Sequence, residues 1–483
     1  MHQSIRKIRL SHDGAPAYDA VLTAACMLRA VFSIPFADTM RPDLSSAPAS
    51  SSPAASPFAR VAVVTILTGV GAGLGGMLLA LLLHAIQHVA YGYSVAHVIG
   101  TESFLTGVTG ADPLRRLAVL VVCGIVAGGG WWALYRYGRP LVSIRRAVRA
   151  ADPRMPVVST TVHALLQIVT VALGSPLGRE VAPREIGSLL AGRLAHAAGL
   201  TPDDCRLMVA CGAGAGLAAV YNVPLGGAIF VLEVLLGTFE LRALVVAVAT
   251  SAIAAAVAWI GLGNEHQYTV PPFVLSTPLV AWSIVCGPLF GFAAYGFVRL
   301  TTRARANAPK DGRLPVLALI NFAMIGVLAM GFPPLLGNGK GPASLGFDGT
   351  LTIGFAAVLL VLKVLIEAGS LRAGAEGGLL TPGLANGALL GVVLGGLWSL
   401  VWPGALIGGC ALIGATAFLA ASMQMPITAV VLLLEFTRAN HDSLVPMLLA
   451  VAGSLVAYRF AQRLAERRAN PVAAVSTPAT AVR

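Results

Sequence analysis

Apolar runs dominate this chain, and their lengths predict helices. Stretches able to cross about 30 Å of hydrocarbon, at roughly 20 residues each, begin near Arg60, Arg116, Val157, Ala243, Leu279, Leu314 and Ile353. Segments of about ten residues alternating apolar and polar, the mark of a membrane-spanning strand, are not found. The pattern therefore predicts an all-α polytopic membrane protein. Many runs are short or punctuated, because the 54 glycines and 29 prolines repeatedly fall near the middle of apolar stretches. Helices broken inside a membrane persist only where the freed backbone groups are buried in protein or line an aqueous path. Their amide ends are then available to a ligand.

One stretch is written twice. Gly212 to Val234 reads GAGAGLAAVYNVPLGGAIFVLEV and Gly414 to Phe436 reads GATAFLAASMQMPITAVVLLLEF, so that Gly212, Pro224 and Glu233 recur as Gly414, Pro426 and Glu435, each 202 residues on. A repeat of about half the length, built from broken apolar helices, predicts a membrane transporter of two halves with its site where they meet. The predicted halves are residues 59–262 and 277–465.

The chain ends differ in texture. Residues 1–58 are polar or mixed and then run into SSAPASSSPAASP, which predicts a disordered leader, and residues 466–483 predict a short disordered tail. The leader has no signal-peptide layout, since the apolar stretch near Ala24 is interrupted by Arg29, and Met40 is a second candidate start.

Composition sharpens the class. Of 483 residues 57% are hydrophobic and 11% charged, against about 25% charged in a soluble domain. The net charge of +12 does not describe a nucleic-acid surface, because most arginines sit in short connections: Arg136 to Arg154, Arg299 to Arg313 and Arg459 to Arg468. The positive-inside rule makes these connections cytoplasmic, together with Arg6, Lys7 and Arg9, and places both termini of a multi-pass protein inside. The six cysteines fall singly and read as packed thiols. GNGKG at Lys340 lacks the Ser or Thr of a P-loop, so nothing points to nucleotide-driven transport. No cofactor and no metal site is expected. His163 and His196 are isolated and read as packed or interfacial histidines, which leaves no basis for an enzyme.

The chemistry concentrates at two breaks. Gly174 to Gly187 reads GSPLGREVAPREIG and opens a helix of small and apolar residues. A helix beginning inside the bilayer aims unpaired N–H groups and about half a positive charge at whatever precedes it, which suits an anion. Glu180 is then either a carboxylate occupying the anion position, able to leave when protonated or displaced, or a helix-start residue satisfied by the same amides. A second break, GAEGGLLTPGLANG at Gly374 to Gly387, leaves the backbone of Gly378, Leu379, Leu380 and Thr381 free to face the first. Lys363 and Glu367, one turn apart in an apolar helix, predict a mutual ion pair. Glu233 and Glu435 hold repeat-equivalent places and read as helix-to-helix hydrogen-bonding carboxylates.

These residues resemble the CLC family of chloride channels and proton/chloride antiporters. LGREVAPREIG at Leu177 to Gly187 is similar to its GREGP signature, GLAAVYNVPLGGAIFVLE at Gly216 to Glu233 to the following helix pair, GGLLTP at Gly377 to Pro382 to its GxFxP segment, and LAASMQMPITAVVLLLEFT at Leu419 to Thr437 to its late helix pair. The resemblance covers nearly all of residues 58–465 and implies about 18 helices of mixed length in two inverted halves, without CBS domains. It further implies a homodimer with one anion path per subunit, in which Glu180 gates chloride or another small monovalent anion held by Gly178, Arg179, Val181 and Gly378 to Thr381.

Four departures matter. Val181 replaces the glycine that follows the gating glutamate in the family's signature, and a β-branched residue restricts the backbone that should wrap the ion. GRPLV at Gly138 to Val142 aligns with the family's GSGIP segment, so its anion-binding serine falls on Arg139, which is either an anion ligand or a positive-inside arginine. The family's C-terminal tyrosine has no counterpart in step: Arg467 aligns there and Tyr458 does not. In FVLEVLLG, Glu233 stands at the first of two positions commonly acidic in proton-coupled members, and Val234 replaces the second, which relays protons. Passive, channel-like conduction is the favoured expectation, with proton-coupled chloride or fluoride antiport as the alternative and a non-transporting membrane scaffold as the rival of another class.

Overall fold

A computed structural model describes residues 56–93, 103–150, 152–272 and 275–469. The chain divides into a unit of residues 1–59 and one of residues 60–483, and the account below concerns the second. The expected leader, Met40 and all but the start of the expected tail lie outside the described residues.

Seventeen α-helices follow one another among the described residues, with no strand. The first half holds α1 (Pro57–Tyr91), α2 (Phe104–Gly110), α3 (Pro113–Tyr137), α4 (Ile144–Arg149), α5 (Val157–Ala172), α6 (Val181–Ala197), α7 (Pro202–Tyr221), α8 (Pro224–Phe230) and α9 (Leu241–Leu262). The second holds α10 (Thr277–Ala306), α11 (Leu314–Gly331), α12 (Lys340–Phe347), α13 (Ile353–Arg372), α14 (Leu380–Ser399), α15 (Ile407–Met423), α16 (Pro426–Thr437) and α17 (Leu444–Ala469). Eight helices are long and apolar enough to cross a membrane, and they leave large apolar side chains such as Val63, Val245, Ile284 and Val361 exposed, as lipid-facing surface requires. The run beginning at Val157 differs from expectation: α5 has 16 residues, about 24 Å of helix, short of the roughly 30 Å hydrocarbon thickness.

The repeat is visible in the backbone. α5 stops at Gly174 (φ +102°) and α13 at Gly374 (φ +92°). In each case the glycine amide and the next one turn back to carbonyls of the last turn: Gly174 to Val171 and Ser175 to Thr170, then Gly374 to Leu371 and Ala375 to Ser370. The left-handed conformation that allows this favours glycine, which is why both breaks open with one. Likewise α7 ends on left-handed Asn222 (φ 57°) and α15 on left-handed Gln424 (φ 53°), and a proline opens the next helix after each.

Packing repeats as well. A Cβ on Gly187 of α6 would lie 2.1 Å from the carbonyl oxygen of Gly212 on α7, and one on Gly387 of α14 would lie 2.7 Å from that of Gly414 on α15. Two helix backbones touch at each crossing, a contact only hydrogen at Cα allows.

The halves are also clasped reciprocally. Glu233, in the π-turn Val231–Leu236 that continues α8, accepts from the amides of Ile427 (3.0 Å) and Thr428 (2.7 Å) and from the Thr428 hydroxyl (2.6 Å) at the start of α16. Glu435 of α16 accepts from the amides of Leu225 (3.0 Å) and Gly226 (2.6 Å) at the start of α8. A carboxylate on free helix-start amides makes charge-assisted bonds along a favourable dipole. Glu233→Ala is expected to lower stability by about 1.5–3 kcal/mol, with Glu435→Ala matching it, read as the unfolding midpoint in detergent.

Buried Lys363 departs from the ion pair its spacing predicted. Its ammonium donates to the carbonyls of Leu335 (3.1 Å) and Gly337 (2.5 Å), while Glu367 accepts from Asn386 Nδ2 at 2.7 Å. No ion pair joins the two among the described residues. Gly337 in turn donates its amide to the Gly174 carbonyl at 3.0 Å, so the lysine steadies the first break from the other half.

Candidate anion site

The two breaks meet. Gly178 donates its amide to the Gly378 carbonyl at 2.8 Å and Gly378 returns the bond to Gly178 at 2.9 Å, an isolated antiparallel bridge between positions 200 residues apart. From this seam α6 and α14 start, each with first-turn amides that have no partner within their own helix.

Glu180 is the N-terminal flanking residue of α6 and is fully buried. Its side chain makes no capping bond to its own helix. Instead Oε1 accepts the Leu380 amide, at 2.7 Å, from the first residue of α14. The second oxygen, Oε2, is buried without a partner. The two glycines of the bridge form the floor beneath it, since a Cβ on Gly178 would meet Oε2 at 2.1 Å and one on Gly378 would meet Oε1 at 1.8 Å. A carboxylate in a pocket with one amide donor and one unanswered oxygen stands where a monatomic anion fits: both need positive amide ends and little else.

Neighbouring side chains frame this point. Arg184 holds the Glu180 carbonyl through Nε at 2.9 Å. Buried Arg179 lies over the Tyr221 ring, 5.3 Å from its centroid, and the Tyr221 hydroxyl is 3.1 Å from the Thr381 hydroxyl. Tyr221 packs on Phe436, which packs on Tyr268, and Lys340 lies 5.9 Å above the Tyr268 ring. On another side Arg305 donates to the Gly377 carbonyl at 2.9 Å and pairs with Glu376 at 3.6 Å, and Tyr135 reaches Glu376 at 3.3 Å. Arginines thus approach the seam from two directions.

The structure gathers Gly178, Arg179, Glu180, Gly378, Leu380 and Thr381 at this place, with half-buried Val181 and Leu379 at the two helix starts. It does not bring in the others. Arg139 is exposed on the link after α3, with no hydrogen bond or ion pair to these residues. Tyr458 packs on Tyr295, ring centroids 5.6 Å apart, in α17 and α10. Glu233 spends both oxygens on α16, and Val234 is half-buried beside it. Tyr221, Arg184, Arg305 and Glu376 were not singled out by sequence. The proline opening the helix after Tyr221 was the available sign that α7 ends here.

Comparison with known proteins agrees with this architecture. The family model described as voltage gated chloride channel matches residues 118–459, well over half of the chain. A Citrobacter koseri protein, "Voltage-gated ClC-type chloride channel ClcB", is 30% identical over 361 residues, which cover 70% of this chain and 82% of that protein. Its namesake in Yersinia pseudotuberculosis is 31% identical over 346 residues, covering 69% and 82%. Among solved structures the chain resembles a slow cyanobacterial Cl−/H+ antiporter, with TM-score 0.69 and 19% identity over 85% of this chain and 98% of that one. It also resembles a CLC-type fluoride/proton antiporter, with TM-score 0.60 and 19% identity over 83% and 96%. With its inverted halves joined at two broken helices, this multi-pass membrane protein belongs to the CLC family of voltage-gated chloride channels.

Proposed function

We propose that this protein exchanges chloride for protons across a bacterial inner membrane, as a homodimer, with Glu180 as the gate of each subunit. The observation carrying the reading is the buried Glu180 carboxylate on the Leu380 amide, with Oε2 unpartnered. Ionised, it fills the anion position. Protonated, it loses its claim on the helix ends and yields to chloride, so the two ions alternate at one place. Gly178, Gly378, Leu379, Leu380 and Thr381 are the backbone cradle in this reading. Arg179 adds positive potential, and Val181 starts the helix whose dipole faces the ion.

Antiport replaces the passive conduction favoured from Val234 alone. The curated relatives carry the name of channels, yet the fold is that of proteins described as Cl−/H+ and fluoride/proton antiporters. A protonatable gate needs a proton supply in either case. For orientation, Arg206 Nε bonds the Ala150 carbonyl and His196 lies 3.4 Å from Asp152, which ties the ends of α6 and α7 to the arginine-rich connection after α3. Lys310 lies over the Tyr135 ring, so a second such connection shares that end of α3. This end is the cytoplasmic one in our reading.

The test is chloride efflux from liposomes holding the purified protein, with valinomycin as potassium shunt and external pH recorded in weak buffer. Chloride release with uphill proton uptake is the expected result. Release without proton movement returns the protein to passive conduction, and silence toward both chloride and fluoride leaves a scaffold. Replacing chloride by fluoride in the same vesicles ranks the two ions.

A further inference from the structure

The antiport reading leaves the proton without a carrier, because Val234 has no acid and Glu233 is bound to α16. A second buried titratable group lies nearby. Nδ1 of His163 on α5 is 2.9 Å from Oε2 of Glu185 on α6, and both side chains are only 10% exposed. Gln167 Nε2 donates to the same oxygen at 3.3 Å. Such a pair inside an apolar bundle is expensive and marks a functional place more often than packing.

The surroundings make it a route. Thr160, His163, Gln167 and Ser175 follow one another along α5 and into the break that carries Glu180, at spacings that keep the first three on one helix face. Thr160 Oγ1, Gln167 Oε1 and Ser175 Oγ are all buried without a partner. A line of unanswered polar atoms in a protein interior is where ordered water sits, since each buried water takes about three hydrogen bonds. Glu185 stands five residues into the helix that Glu180 starts, about 7.5 Å along its axis, a gap one or two waters span. Toward the arginine-rich end stand Glu376 and Arg305, paired with each other at 3.6 Å. Glu376 is 29% exposed there. On α6 the adjacent Arg184 turns to the Glu180 carbonyl, and α3 contributes the uncharged Trp131, its ring 6.5 Å from that of His163.

We infer that His163 and Glu185 carry protons between the cytoplasmic side and Glu180, in place of the acid absent at position 234. The inference rests on the antiport reading. A water-borne proton from the cytoplasmic side moves to His163 as an O–H bond of the hydronium breaks and an N–H bond forms, and Glu185 Oε2 holds the imidazolium. Onward transfer through water breaks that N–H bond and forms the O–H bond that neutralises Glu180. Nothing is oxidised or reduced, and the pair returns to its starting charge once His163 has passed its proton on.

The experiment compares wild type, Glu185→Gln, His163→Gln and Glu185→Asp in the liposome assay, recording chloride and proton fluxes from the same vesicles. A positioned proton carrier contributes about 10²-fold or more, so proton uptake per chloride is expected to fall about that much in both Gln variants and to recover partly in Glu185→Asp. Unchanged proton-to-chloride ratios in both Gln variants, beside a coupled wild type, overturn this inference and leave antiport standing. Proportional loss of both fluxes marks the pair as structural and likewise overturns it. A wild type that moves chloride without protons removes the antiport reading, and the relay with it.

Discussion

Glu180→Gln is expected to separate chloride from protons: chloride flux persists and loses its dependence on pH, while uphill proton uptake disappears. Glutamine keeps the length of the side chain and an oxygen able to accept the Leu380 amide, now 2.7 Å from Oε1. It removes the charge that competes with the ion. Two like charges 4 Å apart cost about 4 kcal/mol at an effective dielectric constant near 20, close to a thousand-fold in the occupancy of a neighbouring anion. The measurement is paired flux at several pH values. A variant whose chloride flux still follows pH as the wild type does would mean that another group gates the path.

Gly378→Ala is expected to close the path. Both glycines of the bridge have backbone conformations open to alanine, since neither is among the positive-φ residues. The new methyl carbon would stand 1.8 Å from Glu180 Oε1, in the space the carboxylate fills and a chloride would fill after it. Because the clashing atom is the tip of a side chain, the helices keep their packing and the loss falls on the site. Overfilling a packed pocket costs about 1–3 kcal/mol, and that range corresponds to a fall of roughly five- to a hundred-fold in flux. Ion binding measured by calorimetry should weaken in step. If the variant behaved instead like Glu180→Gln, fast and uncoupled, the methyl would merely evict the gate and the anion would sit elsewhere than over Gly378.

Most of the fold was legible because the repeat is written in residue types with backbone consequences. Gly174 and Gly374 stop helices, Pro224 and Pro426 start them, and Glu233 and Glu435 recur because each answers the other half. Glu180 stood out for the same reason, as a carboxylate two residues after Gly178 in a mid-run break, although position alone left a helix-start role equally open. Its partner was legible only as a segment, since sequence cannot say that Leu380, and not an amide of α6, donates to it. Side-chain direction was the weak point. Lys363 and Glu367 are one turn apart, yet the lysine turns to carbonyls of the link before α12, which were invisible as partners because they belong to no motif. His163 read as isolated because its neighbour Glu185 lies 22 residues on, across a break whose hairpin geometry brings α5 and α6 side by side. Val234 pointed toward passive conduction because one missing acid was visible, whereas the buried His163–Glu185 contact between two other helices was not.

The bridge between Gly178 and Gly378 bears on time. Its two peptide groups satisfy one another, so Glu180 leaves the seam by giving up the Leu380 amide and breaks no bond between backbone groups. Its departure needs only rotation about side-chain torsions, slowed by full burial, and not the collective helix motions that take microseconds to milliseconds. In the antiport reading such a gate moves without carrying its scaffold along, so proton supply and not helix motion is what sets its pace.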